Sequence, residues 1–144
     1  KNDAGHFYEK ARAAALAARL SVGDQYGEID NDAASLRAIL DGLAKNDIID
    51  NSGLVASGSL ELARLEKRRG RIEEADALLR EATGKLEPIA DRLSVGARLN
   101  LAGLYVESGE RDKAAPILGE FAARGLNHPD LQAVNAKLLQ IARN

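Results

Sequence analysis

Apolar residues recur along the chain every three to four positions, and the stretches that carry this spacing are divided by short polar or glycine-bearing breaks. The breaks fall at Gly23 to Asn31, Asn46 to Gly53, Gly70, Glu87 to Ile89, Gly109 and Gly125 to Pro129. A repeat near 3.6 residues marks helices with one buried face, and the spacing predicts seven of them. The first runs from Asp3 to Ser21 with Phe7, Ala11, Ala14 and Ala18 on one side, where small side chains would admit a close neighbour. The second runs from Asp32 to Lys45 on Leu36, Ile39, Leu40 and Leu43. A third from Leu54 to Arg69 and a fourth from Ile72 to Leu86 meet at Gly70; a fifth from Ala90 to Ser108 and a sixth from Arg111 to Arg124 meet at Gly109. The last opens on Asn127-His128-Pro129-Asp130, where a capping side chain, a proline in the first turn and an acid at the positive dipole end all favour a helix start. It continues on Leu131, Val134, Leu138 and Ile141 to Arg143.

Composition agrees with an all-α fold. The 26 Ala and 21 Leu far outnumber the 13 Ile and Val, the reverse of what strands favour. A length of 144 residues suits one domain with one core. The longest apolar run, Ala13 to Ala18, is too short to span a bilayer, so no direct membrane insertion is expected. A net charge of −2 offers no field for nucleic acid. The chain opens at Lys1 and holds no Met, which reads as a processed or trimmed protein whose export signal could have been removed; the compartment stays open between cytoplasm and bacterial export.

Shifting the sequence by 39 residues reveals a repeat. Leu54, Leu60, Leu62, Ala63, Leu65, Gly70, Ala75, Leu79 and Glu81 fall on identical residues at Leu93, Leu99, Leu101, Ala102, Leu104, Gly109, Ala114, Leu118 and Glu120. About three such matches would arise by chance in a chain this rich in Ala and Leu, so the signal is that of a repeat array. The same shift carries Asp91, Val95, Ala97 and Leu99 onto Asp130, Val134, Ala136 and Leu138. These segments resemble tetratricopeptide repeats in Leu62-Ala63, Gly70, Ala75, Leu79 and Ala82, and again in Leu101-Ala102, Tyr105, Gly109, Ala114, Leu118 and Phe121. The spacing exceeds the usual ~34 residues, and the run from Leu99 to Tyr105, Ala115-Pro116 and His128-Pro129-Asp130 is similar to the longer-period, kinesin-light-chain-like variety. Departures are Ser59 or Arg98 where an aromatic is usual, Glu66 in place of a Tyr, and a Pro88 one position late.

The resemblance implies a right-handed superhelix of helical hairpins over residues 1–144. It divides into a divergent opening repeat (1–53), two repeats (54–92 and 93–126) and a final capping or half-repeat helix (127–144). It also implies a concave groove lined by the first helix of each hairpin, where a protein or peptide segment would meet Leu60, Arg64, Lys67, Arg68, Leu99, Asn100, Gly103 and Val106. Clamping a terminal carboxylate, a known use of such grooves, is poorly matched here, since only Asn100 fits. The function expected is therefore a non-catalytic interaction scaffold. The alternative is a structural or oligomerisation module whose groove is filled by its own chain or by a second copy.

Chemistry is otherwise sparse. Without Cys there is no thiol nucleophile or thiolate ligand, and His6 and His128 have no second ligand at metal spacing. The acidic stretch Asp24 to Asp32 lacks the alternation of a calcium loop, and no nucleophile elbow or phosphate loop occurs. No cofactor, no metal and no enzyme activity are expected. The basic run Lys67-Arg68-Arg69-Gly70-Arg71 reads first as cations answering a helix C-terminus. The fifth helix is apolar on nearly every side, because Leu99, Gly103 and Val106 add a second strip at i, i+4 and i+7. That strip is covered either within the molecule or by a partner.

Overall fold

The computed structural model describes residues 3–21 and 29–123, with side chains over 9–20 and 30–122. The fold is all-α: among the described residues there are six α-helices, one 3₁₀ turn and no strand. The helices are α1 (Asp3–Ser21), α2 (Ile29–Asn46), α3 (Ile48–Arg68), α4 (Ile72–Leu86), α5 (Val95–Glu107) and α6 (Arg111–Ala123). The seventh helix expected on Leu131, Val134, Leu138 and Ile141 lies outside the described residues.

Side-chain contacts fix the layering. Lys10 meets Asp50 near the N-terminal end of α3, while Arg68 meets the Leu20 carbonyl at the C-terminal ends, so α1 and α3 run parallel. Asn100 to Gly53 and Lys67 to Glu107 make α3 and α5 parallel in the same way. On the other side, Arg37–Glu81 and Asp41–Lys85 join α2 and α4, also parallel. Each connection from one layer to the other reverses direction, as Arg19–Asp32 does between α1 and α2 and Arg98–Glu120 between α5 and α6. The main pairings are therefore α1 with α2 and α3, α3 with α2, α4 and α5, and α5 with α4 and α6.

Helix starts explain where the expected boundaries move. Asn46 to Gly53 reads as a break, yet α3 begins at Ile48 because the interruption is a single residue. Asp47 is extended (φ −156°, ψ 92°) and its carboxylate accepts the Asp50 N–H at 3.1 Å, a side-chain cap that restarts the helix at once. Asn51 then donates from Nδ2 to the Leu43 carbonyl at 2.9 Å, and Ser52 Oγ to the Ile49 carbonyl, so polar residues that suggest a loop serve a buried corner. The fifth helix, expected from Ala90, instead begins at Val95. A 3₁₀ turn over Glu87–Arg92 with no buried side chain precedes it, and Ser94 Oγ accepts the Ala97 N–H to cap it.

The first helix turns a different face inward from the one Ala11, Ala14 and Ala18 suggest; the side chain of Phe7, expected on that face, lies outside the described residues. Ala13, Leu16 and Leu20 are buried while Ala11, Ala14 and Ala18 are exposed. Two leucines remove far more apolar area from water than two alanines, at about 25 cal/mol per Å², so they set the rotation. In α2, Leu36, Leu40 and Leu43 are buried and Ile39 packs beside them, as the spacing predicts. Leu40 lies so close to α3 that a Cβ on Gly58 would come within 2.7 Å of its Cδ1; glycine is what permits this crossing.

The residues matched by the 39-residue shift are structurally matched in burial. Leu60, Leu62, Ala63, Leu65, Ala75 and Leu79 are buried, and so are Leu99, Leu101, Ala102, Leu104, Ala114 and Leu118. The turns after α3 and α5 also coincide bond for bond. Gly70 N–H meets the Lys67 carbonyl and Arg71 N–H the Glu66 carbonyl; Gly109 N–H meets Val106 and Glu110 N–H meets Tyr105. Both glycines hold positive φ, 76° and 80°, a conformation that favours glycine for want of a Cβ.

Ala114 is fully buried. Replacing it with Leu inserts three carbons into filled space, and Ala114→Leu is expected to lower stability by about 1–3 kcal/mol. Urea unfolding followed by circular dichroism measures this, and an unchanged midpoint would contradict the packing.

Candidate functional site

The eight residues expected to line a groove converge on the side where α3 and α5 run alongside each other, but they are engaged to different degrees. Leu60 and Leu99 are buried, at 8% and 5% exposure. A Cβ on Gly103 would stand 3.5 Å from Leu60 Cδ2, an ordinary contact, so Leu60 lies beside Gly103 without filling the space a Cβ would need. Val106 is half-buried and packs on the core. This part of the strip is largely covered within the molecule.

The polar members are held by neighbouring helix ends. Lys67 Nζ donates to the Glu107 main-chain carbonyl at 2.6 Å and stands 3.5 Å from the Glu107 carboxylate, which Arg64 Nε also approaches at 3.8 Å. Arg64 pairs in addition with Glu61 at 3.3 Å. Arg68 donates to the Leu20 carbonyl at 3.1 Å. The basic run does answer helix C-termini, but those of α5 and α1 as well as its own. Further along, Arg69 pairs with Asp30 and Glu66, and Arg71 with Glu66.

At the opposite end the strip opens. Between the first turns of α3 and the junction of the 3₁₀ turn with α5 lies an open recess of about 670 Å³. Asp50, Ser52, Leu54 and Ser57 form the α3 wall, with Gly53 between them; Arg92, Leu93, Ser94 and Asn100 form the other. Asn100 Nδ2 reaches the Gly53 carbonyl at 3.4 Å, and Ser57 Oγ reaches the Leu54 carbonyl at 3.5 Å, both at the long limit of a hydrogen bond. Arg92, Leu93 and Ser94 are absent from the groove expected from sequence. Their signal was Ser94, a good helix cap standing just before Val95.

A second polar knot secures the outer side of α5. The Tyr105 hydroxyl donates to Glu87 Oε1 at 2.9 Å, Lys113 Nζ reaches the same oxygen at 3.4 Å, and the Lys113 ammonium stands 5.7 Å from the Tyr105 ring centre. Burial, then the hydrogen bond to Glu87 and the negative charges of Glu87 and Glu110, push the phenol well above its ordinary value. The Lys113 ammonium is likewise raised, by Glu110 first and then Glu87. No group of three potential metal ligands occurs among the described residues. None of their helices is long and apolar enough to cross a membrane.

No protein family, curated protein sequence or solved structure matches the chain.

Lys67→Met keeps the aliphatic stem and removes the ammonium. It leaves the Glu107 carbonyl and carboxylate without this donor and is expected to cost about 1–2 kcal/mol. The loss should shrink as salt is raised, which denaturant titrations at low and high salt measure. Tyr105 gives a pH dependence with a definite sign. Its unfolded phenol ionises near 10, before the folded one does, so the unfolded state loses protons first and stability falls as pH rises past about 10. Thermal melts at stepped alkaline pH should fall less steeply for Tyr105→Phe, with the remaining slope shared by groups such as Lys113.

Proposed function

We propose that the chain is a non-catalytic protein-interaction scaffold built of tetratricopeptide-like hairpins, which binds an extended peptide or protein segment along the α3–α5 side. The observation that carries this reading is the recurrence, 39 residues apart, of the same turn hydrogen bonds and the same buried positions after α3 and after α5. The parallel setting of α1, α3 and α5 in one layer supports it, since stacked hairpins of one hand align their first helices. In such an array the side chains between aligned first helices form the binding surface. Here that surface runs from the recess at Ser57 and Asn100 past Gly103 to Val106 and Arg64.

One observation favours the second reading, a structural or oligomerisation module. Leu60 and Leu99 are already buried, and Lys67 and Arg68 already spend their donors on neighbouring helix ends. A surface so well satisfied has less to gain from a partner.

Light scattering on a size-exclusion column together with panning of a displayed peptide library separates the two. The scaffold reading expects a monomer and a family of related peptides whose binding is lost in Val106→Asp, with circular dichroism unchanged. A folded Val106→Asp protein that binds those peptides as before removes this strip, and a stable homodimer that enriches no peptide supports the module instead.

A further inference from the structure

One wall of the recess between α3 and α5 comes from the part of the chain in which the spacing between the two matched segments exceeds the usual repeat length. The segment Glu87–Ser94 joins α4 to α5 through a 3₁₀ turn over Glu87–Arg92 that buries no side chain, followed by an extended and buried Leu93, and it supplies Arg92, Leu93 and Ser94 to the wall. Extra residues in a repeat tend to gather on one face, often the one that binds. The lengthened connection sits beside the open end of the α3–α5 strip, where Asn100 and Ser57 are held only by long hydrogen bonds.

The charge of the recess is one-sided. Its carboxylate, Asp50, is neutralised by Lys10 at 2.7 Å. Arg92, the one cation of its lining, is exposed and makes no ion pair among the described residues. Asp91, its neighbour in sequence, is not part of the wall. Among the described residues the recess is thus a wet cleft with one guanidinium that no carboxylate pairs, a group suited to grip a carboxylate by two parallel hydrogen bonds.

From this placement we infer that the recess is the docking site for an extended peptide segment bearing an acidic side chain. Its carboxylate pairs with Arg92, and its backbone takes up the Asn100 amide and the Ser57 hydroxyl. The two long internal bonds exchange for bonds to the segment, so little is lost when it enters. Arg92 supplies selectivity for acidic over basic or neutral segments, and it speeds encounter at low salt. The inference rests on the scaffold reading and sharpens it by naming the charge of the segment and the end of the strip where it is held.

The test is a titration of the isotope-labelled full chain, followed by amide chemical shifts, with three capped tripeptides: Ala-Glu-Ala, Ala-Gln-Ala and Ala-Lys-Ala. The Glu peptide is expected to move the amides of Leu93, Ser94 and Ser57 at millimolar concentration, at least several-fold more than the other two. Arg92→Ala should abolish that preference and Arg92→Lys retain part of it; because Arg92 is exposed, both variants should fold, and their spectra report this directly. Equal shifts from all three peptides, or no shift at the recess, overturn the inference. Selective shifts around Arg64 and Val106 instead would overturn it while leaving the scaffold reading standing. Failure of the library panning, with no response to any tripeptide, would remove both.

Discussion

Three helices laid side by side in the same direction bring three negative dipole ends to one edge of the molecule, and everything else in this fold has to accommodate that. Helices α1, α3 and α5 end near Leu20, Arg68 and Glu107 respectively. Their last carbonyls have no partner within the helix, and like ends of parallel dipoles repel. The middle helix resolves both problems at once. Lys67 reaches forward to the Glu107 carbonyl and Arg68 reaches back to the Leu20 carbonyl, so consecutive cations of α3 each close a different neighbour. The carboxylate of Glu107 then draws Arg64 into the same cluster. A basic run that would look like a surface patch becomes the fastening of one layer.

The second layer is fastened differently. The α2–α4 side is crossed by Arg37–Glu81 and Asp41–Lys85, two ion pairs four residues apart on each helix, with opposite polarity in successive pairs. These groups are about half exposed and contribute little each. They stand over the buried leucines of α2 and α4, and Gly58 lets α2 settle deeply enough for Leu40 to join the α3 core. Fine alignment comes from the missing Cβ more than from the charges.

Spacing and composition make the helices legible because leucine positions at i, i+3, i+4 and i+7 leave few alternatives, and Leu36, Leu40, Leu43, Leu62, Leu65 and Leu79 are all buried where the pattern puts them. Glycines at 70 and 109 mark their turns equally well. What misled was polarity used inside the structure. Asn46 to Gly53 looks like a loop, and only Asp47 interrupts the helices; Asn51 is polar and almost wholly buried because it bonds a carbonyl across the corner. Alanine points the other way, for Ala11, Ala14 and Ala18 are exposed while Leu16 and Leu20 are buried. The eight residues of the expected strip lie where α3 and α5 run alongside each other, engaged to different degrees. Its division into a covered middle and an open end was not legible. That division depends on the burial of Leu60 and Leu99 between neighbouring helices and on the 3₁₀ turn setting the start of α5, neither of which a one-dimensional pattern encodes.

The order of the pairings bears on how the chain reaches this state. Among the described residues every extensive contact joins helices that are adjacent in sequence or separated by a single helix, and none ties α1 to α5 or α6. Closing such short loops costs little entropy, and the cost grows only slowly with loop length. Chains whose contacts are this local fold quickly, because no distant ends have to meet before the first native surface is buried. The same economy applies in reverse. An opening that begins at α1 need not travel to α6, so these two helices can exchange their amide protons on separate clocks while α3, bound to four neighbours, keeps its own until the whole unfolds.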